Sequence, residues 1–115
     1  MKTISSLALC LALLMPAAVA AQSGNTIEFK ERVTLAVGQS TVIHGARGDC
    51  GRAPAKSDIA LPALKTGTLS LGQAGVRDSR SCGGPTPAIE VIFTATAKGR
   101  ESFELFGDKV SVRVK

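Results

Sequence analysis

Phe103-Glu104-Leu105-Phe106-Gly107-Asp108-Lys109-Val110-Ser111-Val112-Arg113-Val114 is the stretch that decides the fold. Phe103 and Leu105 flank Glu104, Gly107-Asp108 is turn chemistry, and Val110, Val112 and Val114 alternate with Ser111, Arg113 and Lys115. A period of two sends successive side chains to opposite faces of a strand, so the segment predicts two half-buried strands joined by a turn. The same period recurs upstream. Ile89, Val91, Phe93 and Ala95 alternate with Glu90, Ile92, Thr94 and Thr96. Val33, Leu35 and Val37 alternate with Thr34 and Ala36, and Ile27 with Phe29 extends that pattern backwards. Thr41 to Ala46 and Thr68 to Leu71 supply two shorter runs, and glycine-bearing turn signals separate them all. About seven short strands with hardly any helical spacing predict an all-β, antiparallel β-sandwich over residues 26–115.

Two segments break the alternation. Residues 47–66 lack a period, although Ile59, Leu61 and Leu64 suggest contact with the core, and Pro54 and Pro62 keep the segment out of a central strand. Residues 73–87 also read as irregular. Each segment holds one cysteine, Cys50 in the first and Cys82 in the second. A disulfide between them would tie both loops to one end of the sandwich, where such folds present binding loops. By the chain-entropy relation that bond stabilises by about 3.5–4 kcal/mol, less any strain.

The pairing presumes an oxidising compartment, which the N-terminus supports. Lys2 precedes an apolar run from Leu7 to Met15, and Pro16 leads into Ala17-Ala18-Val19-Ala20. This is the three-part pattern of a secretory signal peptide of bacterial type, with Ala18 and Ala20 at the two small positions before the cut. The expected division is a leader over residues 1–20, a flexible lead-in over 21–25 and the sandwich from 26. The apolar run is shorter than the roughly 20 residues of a membrane span, so no anchor is expected. Cys10 lies inside the run behind Leu9 instead of a small residue, which argues against lipidation. Without Lys2 the chain has 13 Lys and Arg against 9 Asp and Glu, a net charge of +4. A mildly basic exported protein favours an envelope protein or another anionic envelope component as partner.

From Val91-Ile92-Phe93-Thr94-Ala95 through Gly99, Ser102-Phe103 and Gly107-Asp108 to the valine-rich end, the chain resembles the closing strands of bacterial immunoglobulin-like and cadherin-like modules. Gly67-Thr68-Leu69-Ser70 looks like the strand before them. The resemblance implies an immunoglobulin-like sandwich. It departs from true immunoglobulin domains in having no Trp and no Tyr, and the acidic calcium motifs of cadherins are not recognisable.

Candidate chemistry is sparse. His44 is the sole histidine, and no serine or thiolate can be set beside it from sequence to make a nucleophilic site. His44, Asp49, Cys50 and Cys82 imitate a metal set, but their spacing is not that of structural zinc and a disulfide consumes both thiolates. Arg47-Gly48-Asp49 spells an integrin-type tripeptide that is equally ordinary turn chemistry. The basic residues carry more: Arg47, Arg52 and Lys56 near Cys50, and Arg77 and Arg80 near Cys82, would gather at one end of the domain. Arg113 and Lys115, on the last strand, would be inert by comparison. With only four Phe, stacking platforms for nucleic acid are not expected. The expectation is therefore a periplasmic or secreted, non-enzymatic binding module without metal or cofactor. The alternative is an inhibitor of a hydrolase, for which small chagasin-like sandwiches are similar in size and class although their Asn-Pro-Thr-Thr-Gly loop is absent.

Overall fold

In the computed structural model, residues 25–115 are described; the expected leader and nearly all of the expected lead-in lie outside them. Seven strands follow in order: β1 (Asn25–Thr26), β2 (Arg32–Leu35), β3 (Ser40–Arg47), β4 (Gly67–Ser79), β5 (Gly84–Ala95), β6 (Gly99–Leu105) and β7 (Asp108–Val114), with one 3₁₀ turn at Lys56–Asp58. They form two sheets, β1-β4-β5-β3 and β2-β7-β6. Phe93, Val91, Ala95 and Ile43 of the first pack against Val110, Val112, Val114 and Leu105 of the second in one buried core. The alternating residues of β5 and β7 supply that core, as their period requires. Among the described residues no helix is long and apolar enough to cross a membrane.

Pairing is antiparallel within β3–β5, β4–β5 and β6–β7, but β1 lies parallel to β4 and β2 parallel to β7. The expectation of a wholly antiparallel sandwich is corrected here. Both parallel strands are short pieces of the N-terminal segment, each added to the free edge of a strand that comes much later in the chain. Nor is the Ile27–Phe29 segment a continuous strand with β2. The Ile27 N–H bonds Val76 of β4, and the Lys30 N–H bonds Ile43 of β3, so the chain crosses from β4 over β5 to β3. A Cβ on Gly75 would meet the Ile27 Cδ1 at 2.8 Å, and one on Gly45 would meet the Ile27 Cγ2 at 3.1 Å and the Ala88 Cβ at 3.2 Å. Gly75, Ala88 and Gly45 thus form a low floor over which Ile27, 5% exposed, is laid.

Residues 73–87, expected to be irregular, belong mostly to the long hairpin of β4 and β5. Two features hide it. A β-bulge between Leu71 and Ala74 shifts the alternation by one residue, among small side chains that give little hydrophobic signal. Pro85 and Pro87 sit beyond Ala88, where β3 stops pairing, so that end of β5 has one neighbour and tolerates residues without an N–H. The first irregular segment remains loop apart from its 3₁₀ turn, with Ile59, Leu61 and Leu64 packed against the core.

Candidate functional site

Cys50 and Cys82 are joined, with Cα atoms 5.5 Å apart, as the sequence led us to expect. Cys82 lies in the turn at the tip of the β4–β5 hairpin, and Cys50 begins the long loop after β3. The Gly51 N–H donates to the buried Thr86 hydroxyl at 2.9 Å, which fastens the same loop to β5. One end of the sandwich is thereby held by a covalent bond and a buried hydrogen bond.

Two adjacent cavities open there. Arg47, Arg77, Ser79, Arg80, Ser81, Phe106 and Asp108 line one of about 470 Å³. Arg47, Arg52, Pro54, Asp58, Ile59 and Phe106 are among the residues lining the other, of about 620 Å³. Of the five cations singled out from sequence, Arg47, Arg77 and Arg80 share the first and Arg52 joins Arg47 in the second. Lys56 stands on the 3₁₀ turn and lines neither. Their states differ. The Arg47 guanidinium donates to the Gly48 carbonyl at 2.9 Å and to the Ser81 hydroxyl at 2.8 Å, which folds the Arg-Gly-Asp arginine back onto the loop. Arg77 donates to the carbonyls of Gly45 and Asp78 and so reaches from β4 to β3. Arg52, Lys56 and Arg80 make no side-chain hydrogen bond to the described residues and are exposed.

Phe106 lines both cavities. It occupies the first of the two central positions of the β6–β7 turn, with φ 54° followed by Gly107 at 87°. Two positive φ values match the right-handed twist of a hairpin and favour Asn-Gly; a bulky aromatic at the first is unusual and strained. It is nonetheless 46% exposed. Sequence reasoning passed over it, yet the signal existed: with Phe103 and Leu105 inward, the next apolar residue before Gly107 has no core to enter.

Behind Phe106 lies His44, 1% exposed. A β-bulge between Val42 and His44 turns both Ile43 and His44 into the interior. The ring sits 5.5 Å from that of Phe106 and 4.5 Å from that of Phe29, itself 41% exposed. The His44 Nδ1 accepts the Gly45 N–H at 2.9 Å, so Nε2 carries the proton and donates it to the Asp108 carboxylate at 2.9 Å. Burial lowers the His44 pKa from 6.5; the Asp108 hydrogen bond opposes this, the Arg77 charge adds to it, and the Asp108 charge opposes it again. The imidazole is thus a neutral, doubly hydrogen-bonded group wedged between two exposed aromatic rings, and neither nitrogen is free to act as a base. The four residues of the imitated metal set offer no thiolate, since both sulfurs are in the bond.

Compared with protein-family models, curated proteins and solved structures, the chain matches none.

Proposed function

We propose that the chain is an exported, immunoglobulin-like binding module whose working surface is the disulfide-tied end, and that it is not an enzyme. The observation that carries this is Phe106: a solvent-exposed aromatic kept in a strained turn position, between two cavities rimmed by arginines. Aromatic and arginine side chains are the residues that anchor protein interfaces. Strain retained at an exposed site points to function and not to packing. The disulfide fits an oxidising compartment, in keeping with the leader pattern. The partner surface would be acidic, as expected for an envelope protein or anionic envelope component, because Arg52, Lys56 and Arg80 have donors to spare. Inhibition of a hydrolase is a special case of the same surface, favoured by the proline-bearing loop over 48–66 that walls the larger cavity.

The test is capture from an envelope extract on the oxidised chain, with the captured protein then used in direct titration. Phe106→Asn and Arg80→Glu should each weaken binding about tenfold or more. Lys98→Glu, which makes the same charge change as Arg80→Glu but lines neither cavity, should leave it unchanged. Equal losses in Arg80→Glu and Lys98→Glu would reduce the effect to bulk charge. Turnover of a substrate by the pure chain would overturn the non-enzymatic reading.

A further inference from the structure

We infer that the outer face of the three-stranded sheet is a second site, one that binds a tetrahedral oxyanion: a phosphate or sulfate group. The register of β2, β7 and β6 sets Arg32, Ser111 and Ser102 in one row and Thr34, Arg113 and Arg100 in the next. Val33, Val112 and Val114 alternate with them and are buried, so the six polar side chains face outward. They surround a shallow cavity of about 690 Å³. Arg113 and Lys115 were expected to be inert; Arg113 instead stands at the centre of the basic face.

The arrangement is electrostatically incomplete. Arg100 and Arg113 are direct cross-strand partners, and like charges so placed destabilise the pair. Arg32 lies diagonally from Arg113 across the β2–β7 pair. Glu101 is the one carboxylate lining the cavity, and its Oε1 is taken up by the Lys65 N–H at 2.8 Å and by the Thr66 N–H and hydroxyl, both at 2.6 Å. Among the described residues no carboxylate lies within ion-pair distance of Arg32, Arg100 or Arg113, the sole close pair of opposite type being His44 with Asp108. None of the three guanidiniums donates to a protein acceptor among those residues, unlike Arg47 and Arg77 at the loop end. The Ser102 and Ser111 hydroxyls, hydrogen-bonded to each other at 3.1 Å, leave one O–H donor on the same row.

These are the groups a tetrahedral oxyanion needs: planar guanidinium forks approaching from two sides and a short hydroxyl donor from below. Two rows of a three-stranded sheet span roughly 7 by 10 Å, the footprint of one phosphate or sulfate group and its substituent. No aromatic side chain lines the cavity, so the anion and not a base or sugar ring is what the face recognises.

The experiment is an NMR titration of the disulfide-bonded chain at constant ionic strength, following the arginine Nε–H signals and backbone amides. Inorganic phosphate, inorganic sulfate and glycerol phosphate are added in separate arms, and chloride balances the salt. Saturable shifts at Arg32, Arg100, Arg113, Ser102 and Ser111 are expected. Arg113→Gln should weaken them about tenfold or more, while Lys98→Gln, an equal charge change outside the cavity, should stay within about twofold. Phosphate should raise the melting temperature of the wild type but not of Arg113→Gln. Without phosphate that variant should melt at the same temperature or higher, because it removes a like-charge pair. Tighter binding of the ester than of the free ions would assign the site to an esterified group on a larger molecule, and equal binding to the free ion. Linear drift matched by chloride, equal loss in Lys98→Gln, or shifts confined to Arg47 and Arg80 would overturn the proposal. Because Phe106 and Arg80 take no part, this site can fail while the loop-end surface stands.

Discussion

Phe106 and His44 carry opposite kinds of strain. Phe106 is held at a positive φ that Asn adopts more readily, so Phe106→Asn should be neutral or stabilising, within about 1 kcal/mol of wild type by chemical denaturation, while impairing capture. Stability and binding moving in opposite directions marks a residue retained for function. His44 stores its cost in protonation. Its native pKa is lowered below 6.5, chiefly by burial, so the neutral form is favoured in the fold. As pH falls through 6.5 the unfolded chain takes up the proton first and stability declines, until the folded His44 also protonates and the decline stops. One titrating group sets an upper limit of about 1.4 kcal/mol per pH unit on that slope. Thermal melts from about pH 7.5 to about pH 5 should show the decline in wild type and a flatter profile in His44→Gln. Asp108→Asn, which removes the opposing carboxylate, should carry the decline to lower pH. Equal slopes in all three proteins would locate the titration elsewhere.

At the scale of elements, the Cys50–Cys82 bond and the Glu101 carboxylate perform related tasks at different sites. The bond closes the loop from the end of β3 to the tip of the β4–β5 hairpin. Its removal in Cys50→Ser with Cys82→Ser should cost about 3–4 kcal/mol and lower the melting temperature by more than about 10 °C. Glu101 pins residues 65–66 against the edge strand β6. Burial pushes its pKa up, but the Thr66 hydroxyl, the two N–H donors and the Lys65 charge outweigh that and hold it below 4.5. Its contribution is therefore present at neutral pH and lost as pH falls through the lowered pKa. Glu101→Ala should destabilise by about 1–2 kcal/mol at pH 7, measured by urea titration. Much of this level was legible beforehand. The alternation of β5 and β7 named the core residues directly, and two cysteines in turn-like surroundings named the bond. What could not be read was the β4–β5 hairpin beyond Leu71, because a bulge, three small residues and two edge-strand prolines leave no period to follow. The parallel pairings were equally hidden, since nothing in Asn25–Thr26 or Arg32–Leu35 says which distant edge each will join.

Across the whole molecule, the seven arginines are divided between the disulfide-tied end and the outer face of the second sheet. The first grouping could be inferred from the positions of the cysteines. The second arises from register: Arg32 is far in the chain from Arg100 and Arg113, which face each other across one hairpin, and only the parallel pairing of β2 with β7 brings it beside them. Phe29 and Phe106 were illegible as a pair for the same reason, because one precedes β2, the other sits in the β6–β7 turn, and the histidine between them comes from β3. The two surfaces should respond separately to substitution. A double variant, Arg80→Glu with Arg113→Gln, should lose partner capture and oxyanion binding by the factors measured for each change alone, as expected of distant sites.

The parallel pairing of β2 with β7 has a mechanical consequence. The four register pairs from Arg32 with Ser111 to Leu35 with Val114 are flanked by the Ser111 N–H on the Glu31 carbonyl and the Lys115 N–H on the Leu35 carbonyl. The chain enters β2 from one end of this ladder and leaves β7 at the other. Tension on the two termini therefore loads every rung in shear at once, whereas an antiparallel hairpin would unzip one rung at a time. Single-molecule stretching from residue 25 and residue 115 should give one abrupt, high-force rupture. Stretching between residues 99 and 115, which peels β6 from β7, should give a markedly lower one.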